Sequence, residues 1–132
     1  RFLGYQPYQK ISGLLAETHV CVFPSLWENF PNVCLEAMAA GRAVIASNSG
    51  GMTDMIENDI HGLLIPPNSP ESVANAILSL LQNPSKIRTY GEAARQRVLN
   101  EYNENKTGEL VTAFYTETIS QSQVKAGSPD FA

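Results

Sequence analysis

Two glutamates, Glu28 and Glu36, stand eight positions apart in the run PSLWENFPNVCLEAMAAG, residues 24–41. Between residues 33 and 40 every side chain except that of Glu36 is apolar or small. Charged side chains are almost never fully buried without a partner, and an unpaired buried carboxylate is costly enough to take up a proton instead. Glu36 therefore requires a wet cleft, a partner or a ligand. A carboxylate only accepts hydrogen bonds, and a pair of adjacent hydroxyls offers it two matched donors.

The elements that must hold these groups follow from the patterning. Short apolar runs alternate with amphipathic helices, the signature of a parallel α/β sheet. Phe2-Leu3 reads as the beginning or end of a strand, Pro7 as the first position of a helix carrying Tyr8, Ile11, Leu14 and Leu15, and HVCVFPS as a buried strand stopped by Pro24. A helix over residues 31–40 follows, ended by Gly41, then the strand AVIAS, the turn NSGG, a short helix over residues 52–57 and the strand GLLIPP. Ser69-Pro70-Glu71 has the hydroxyl, proline and acid of a helix start. A second C-terminal helix carries Ile87, Tyr90, Ala94 and Val98 with Lys86, Arg88, Arg95 and Arg97 mostly turned outward, and a third spans residues 106–119, anchored by Val111, Phe114 and Tyr115. The fold class is α/β: over residues 1–119, a partial doubly wound, Rossmann-like parallel sheet followed by C-terminal helices, and then a mobile polar tail over residues 120–132.

In open parallel sheets ligands bind beyond the carboxyl ends of the strands. Glu28 lies on a loop at that edge, and the helix after it points its free amides and positive dipole end toward the same crevice, where an anion is favoured. Glu36 lies about 7 to 8 Å along that helix at 1.5 Å per residue, on a face shared with Asn32, while Val33, Ala37 and Ala40 are assigned to the sheet-packing face. A ligand with phosphates over the helix start would meet Glu28 on one side and Glu36 on the other. Sugar hydroxyls flanking a diphosphate, as in a nucleotide sugar, meet that description.

Composition narrows the alternatives. A chain of 132 residues with 43% hydrophobic residues can bury one core, and its net charge of −4 argues against a nucleic-acid or anionic-membrane surface. No apolar run is long enough to cross a bilayer. The chain opens on Arg1 within apparent structure and reads as a piece of a longer protein. Cys21 and Cys34 sit in apolar surroundings with no metal-ligand spacing, which suits free buried thiols in a reducing, cytoplasmic compartment. His19 and His61 lack ligating companions and suit solvent-facing or capping roles; no carboxylate cluster of the D-x-D kind appears, so no metal and no cofactor is expected. Trp27 fits equally a cleft wall beside Glu28 and surface packing.

PSLWENFPNVCLEAMAAGRAVIASNSGG resembles the donor-site signature of the retaining GT-B glycosyltransferases of family 4, glycosyl transferases group 1, including a glutamate pair separated by seven residues. HGLLIPPNSPESVANAIL resembles that family's next segment, and the similarity runs from about Gly4 to Tyr102, more weakly to Ile119. Taken singly, Glu28 would be a loop acid and Glu36 a first-turn acid worth about 0.3 to 1 kcal/mol to the helix dipole. The resemblance, with the lack of polar neighbours, favours a ligand instead.

It implies that Glu28 is the catalytic-site acid, holding donor hexose hydroxyls beside the anomeric carbon. The backbone of Phe30, Pro31, Asn32 and Val33 would line the hexose and diphosphate, Glu36 would hold the ribose, and Gly50 and Gly51 would let their loop approach the donor closely. The donor would be of UDP or GDP type; the acceptor, a glycan, lipid or small molecule, would sit on an N-terminal domain outside this chain, with peripheral attachment to a membrane possible only through that domain. Asn29 and Pro31 depart from the glycines that commonly flank the Phe, and since proline has no N–H the amides of Asn32 and Val33 must carry more. Ala43, where proline is frequent, and Asp54, where glutamate is frequent, are neutral departures. The family's basic Arg and Lys pair would precede Arg1. Two other readings stand beside the transferase: a nucleotide-sugar epimerase of GT-B architecture, for whose acid/base groups no residue here is a candidate, and a binding module without turnover. A basic pair and a Rossmann-like half upstream of Arg1 would favour the transferase.

Overall fold

The computed structural model describes residues 1–126, which divide into two compact units, the first over residues 1–99 and the second beginning at Asn100. In the first, α1 (Tyr8–Glu17) leads to β1 (Val20–Phe23), α2 (Asn32–Ala39), β2 (Ala43–Ser47), α3 (Met52–Met55), β3 (Gly62–Ile65) and α4 (Pro70–Gln82); α5 (Pro84–Glu101) follows. The strands form one parallel sheet in the order β1-β2-β3, registered by Val20 opposite Ala43 and Val44 opposite Gly62.

The middle strand explains the packing. All five residues of β2 are buried, as a parallel strand covered on both faces must be, and its run AVIAS is accordingly apolar without alternation. Successive side chains point to opposite faces. Val44 and Ala46 meet Cys34, Ala37 and Met38 of α2, together with Met52, Met55, Ile56 and Ala94. Ala43 and Ile45 meet Ile65, Ala76 and Leu80 of α4, and Tyr90. The Ser69 hydroxyl accepts from the Ser72 amide at 3.3 Å with Pro70 at the first helical position, which is why α4 starts where its sequence expects.

Four expectations are corrected. Phe2-Leu3 forms no strand: residues 1–4 pair with no other strand and Phe2 is fully exposed. The packing face of α2 is Cys34, Ala37 and Met38, at i, i+3 and i+4, whereas Val33 is 56% exposed and Ala40 only half-buried; the helix is turned by about one residue, 100°, from the assigned face. The basic residues of α5 are not simply a solvated fringe. Arg97 is half-buried and donates to the Asp54 carbonyl at 2.9 Å, Arg95 donates to the Ala39 carbonyl at 3.2 Å, and Lys86 pairs with Asp59 at 3.5 Å. Finally, α6 (Glu104–Ala126) in the second unit runs past the end expected at Ile119, since no Gly or Pro stands between Ser120 and Ala126. The remainder of the expected tail, residues 127–132, lies outside the described residues. The expected anchors Val111, Phe114 and Tyr115 are exposed, Phe114 by 66%.

Both cysteines are free, Cys34 buried and Cys21 half-buried. Burial, reinforced by the nearby Cys21 sulfur, pushes the Cys34 thiol up to about 12 from 9.0. A folded value above the unfolded one means that the stabilisation is whole below pH 9.0 and is lost as pH rises toward about 12. Iodoacetamide at pH 8 should therefore leave Cys34 unlabelled in the native chain and label it in urea, read by mass spectrometry; rapid native labelling would contradict this burial.

Candidate functional site

Parallel pairing brings Phe23, Ser47 and Ile65, the last residues of the three strands, to one edge. Two loops leave that edge side by side, residues 24–31 between β1 and α2 and residues 48–51 between β2 and α3. They interlock through their backbones. The Gly51 amide donates to the Glu28 carbonyl at 2.9 Å. A Cβ added at Gly50 would overlap the Glu28 carbonyl oxygen, and one at Gly51 would overlap that of Asn29 and lie 3.3 Å from the Phe30 Cα. Gly50 also has φ +53°, a left-handed conformation that glycine adopts at no steric penalty. The second loop is itself anchored: Asn48 donates to the Ile65 carbonyl at 2.7 Å, and the Thr53 hydroxyl donates to the Gly50 carbonyl at 2.9 Å.

The start of α2 lies at the same edge. Pro31 is its N-cap, in an extended conformation and without a side-chain capping bond. Its carbonyl accepts from the Cys34 amide at 3.0 Å and the Leu35 amide at 3.4 Å. Helices leave their first amides without intrahelical acceptors, and here those of Asn32 and Val33 have no protein acceptor among the described residues. These two amides are what α2 can offer an anion, as the missing N–H of Pro31 requires.

Glu36, fifth in α2, is half-buried. It lines a cleft of about 360 Å3 between α1 and α2, with Tyr8, Gln9, Ile11, Ser12, Leu15, Ala39 and Ala40. Arg42 clamps the far ends of the two helices, its Nε donating to the Ala40 carbonyl at 2.7 Å and its Nη1 to that of Thr18 at 2.8 Å. Of the three environments that would accommodate a carboxylate in an apolar run, Glu36 has the wet cleft. Among the described residues neither Glu28 nor Glu36 has a salt bridge or a side-chain hydrogen bond, and the Lys86–Asp59 ion pair involves neither.

The expected site residues thus fall into two groups. Glu28 and Phe30 are brought against Gly50 and Gly51; Pro31, Asn32, Val33 and Glu36 follow along α2. Glu28 is half-buried, Phe30 and Val33 are exposed, and Trp27 is 67% exposed beside them. A further cleft of about 340 Å3 opens at the strand ends between Leu26, Ser47, Ile65 and the start of α4, and neither glutamate lines it. Thr53 and the α1 residues Gln9 and Ser12 were missed by the sequence reading. Gln9 and Ser12, three apart and polar on a helix with Ile11 and Leu15, carried the pattern of a polar stripe, but nothing in the sequence says that α1 lies against α2. His61 takes the capping role, its Nδ1 accepting from the Glu57 amide at 3.2 Å, with Arg97 alongside. Among the described residues no group of three His, Cys, Asp or Glu side chains converges, and no helix is long and apolar enough to cross a membrane.

Comparison with known proteins gives this geometry a family. The family model described as "Glycosyl transferases group 1" matches residues 1–97. A glycogen synthase from Mycobacterium tuberculosis is 33% identical over 102 residues, 77% of this chain and 25% of that protein. Among solved structures, the sucrose-phosphate synthase of Thermosynechococcus elongatus superposes with a TM-score of 0.83 at 33% identity, over 92% of this chain and 30% of that one. The C-terminal domain of a group 1 glycosyl transferase from Francisella tularensis does so with a TM-score of 0.72 at 26% identity, over 78% of this chain and 53% of that one. The chain spans about a quarter of the glycogen synthase's length. With its α/β sheet in the arrangement of the GT-B glycosyltransferases and the family match over its first 97 residues, the chain belongs to the group 1 glycosyl transferases.

Proposed function

We propose that this chain forms the donor side of a retaining hexosyltransferase, binding a nucleoside-diphosphate sugar of UDP or GDP type. The diphosphate lies over the start of α2, where the amides of Asn32 and Val33 lack protein acceptors among the described residues and the helix dipole favours an anion. Glu28 takes hydroxyls of the hexose beside the anomeric carbon, and Glu36 takes those of the ribose. The observation that carries this reading is Glu36 itself: a half-buried carboxylate with no cation on it, facing a cleft, on the helix whose first amides are also free.

In the transfer step the bond from the anomeric carbon to the diphosphate breaks and the acceptor hydroxyl takes its place. Negative charge grows on the departing diphosphate, and preorganised donors aimed at that charge lower the barrier. The α2 amides supply part of this, and the basic Arg and Lys pair expected upstream supplies the rest. Holding the hexose by Glu28 fixes the reacting carbon relative to the acceptor, the positional part of catalysis. The acceptor site belongs to a partner domain, and the free thiols Cys21 and Cys34 suit a cytoplasmic setting.

Titration calorimetry on the full-length enzyme tests the division of labour, with donors first chosen by thermal shift from UDP-glucose, UDP-galactose, UDP-N-acetylglucosamine and GDP-mannose. Glu36→Ala should weaken the free nucleoside diphosphate and its sugar form alike, by about 10- to 100-fold for a charge-assisted hydrogen-bond pair worth roughly 1.5 to 3 kcal/mol. Glu28→Ala should spare the free nucleotide and reduce binding of the sugar form and turnover. Equal losses on both ligands from both changes would contradict the assignment. The isolated chain should bind donor feebly and transfer nothing; turnover from it alone would overturn the half-site reading.

A further inference from the structure

The surfaces of Gly50 and Gly51 that a side chain would occupy are already filled by protein. Against Gly50 lies the Glu28 carbonyl, and against Gly51 lie the Asn29 carbonyl and the Phe30 Cα. The neighbour these glycines admit so closely is the backbone of the Glu28 loop. The Gly51 amide then ties that loop at the Glu28 carbonyl itself, 2.9 Å away.

We propose that Gly50, Gly51 and Thr53 are positioning residues for Glu28: the loop after β2 grips the Glu28–Phe30 backbone and so sets where the Glu28 carboxylate stands. This rests on the reading that Glu28 meets the donor hexose. Among the described residues the Glu28 side chain has no hydrogen bond or ion pair of its own, so its placement is inherited from its backbone. That backbone is held by a loop with two fixed ends. Asn48 joins it to the end of β3, and the Thr53 hydroxyl and amide both reach the Gly50 carbonyl, at 2.9 Å and 3.2 Å. Within the loop, the Ser49 hydroxyl is buried without a hydrogen-bond partner.

A methyl group at Gly51 must displace the Glu28 loop. A misplacement of about 1 Å in a reacting constellation lowers rates on the order of 100-fold. The test is a double-mutant cycle in the full-length enzyme, using the donor identified from the panel above and reading nucleoside diphosphate release. Gly51→Ala should lower kcat by about 10- to 100-fold in the native background and by no more than about 2-fold when Glu28 is already Gln, with affinity for the free nucleotide kept within about 2-fold. Should Gly51→Ala fail to fold, Thr53→Val gives the same test at an exposed position: a drop in kcat of about 3-fold, restored by Thr53→Ser and absent beside Glu28→Gln. Equal losses in both backgrounds, or an unchanged kcat in Thr53→Val, would overturn the proposal. Full turnover in Glu28→Gln would overturn it too, and would do so by removing the role of Glu28 itself.

Discussion

Parallel strands cannot be joined by a tight turn, so every connection must cross a face of the sheet and return to the starting edge. That constraint governs this molecule. With β1, β2 and β3 all parallel, the chain leaves the sheet three times at one edge, and the loops that carry Glu28 and the paired glycines are forced to be neighbours. The crossing helices α2 and α3 cover one face and α4 covers the other, which is why β2 is wholly buried and wholly small or apolar up to Ser47. A ligand crevice at the carboxyl edge is the by-product of this topology.

The helix α2 does two jobs with one short stretch of eight residues. Cys34, Ala37 and Met38 are buried against Val44 and Ala46 and hold it on the sheet. Glu36 lies off that face, toward α1, where the two helices leave a cleft beside it. Had α1 packed tightly there, the carboxylate would have needed a cation or a proton. Arg42 holds the helices together at their far ends by backbone carbonyls, so the cation nearest in sequence to Glu36 is engaged there.

The periphery is fastened by polar bonds to backbone more than by ion pairs. Arg97 and Arg95 reach the carbonyls of Asp54 and Ala39, and the Tyr90 hydroxyl donates to Asp59 at 2.7 Å. That hydroxyl, ahead of Lys86, holds the Asp59 carboxyl below the usual carboxylate range. Asp59 has a positive φ of 63° and lies on the turn leading into β3. These contacts attach α5 to the segments that deliver β2 and β3, leaving the carboxyl edge to the two interlocked loops.

Periodicity and punctuation determined most of the elements from sequence alone. The strand AVIAS, the Ser69-Pro70 start of α4 and the helix that follows Pro7, which caps it in an extended conformation rather than standing at its first position, all reside in local chemistry: continuous apolar runs, capping hydroxyls, and proline where no amide is needed. The glutamate pair was legible for the same reason, since a lone charge in an apolar run is anomalous wherever the chain folds. Tertiary structure decided which face of α2 is buried, because Val33 and Cys34 are equally apolar and only the sheet's position chooses between them. It decided the fate of Phe2-Leu3, since a strand exists only through its partner. It also decided what the two glycines admit. NSGG announces a turn, but the neighbour lying against a turn is brought there by parallel pairing across more than twenty residues, a distance at which local sequence carries no information about contact.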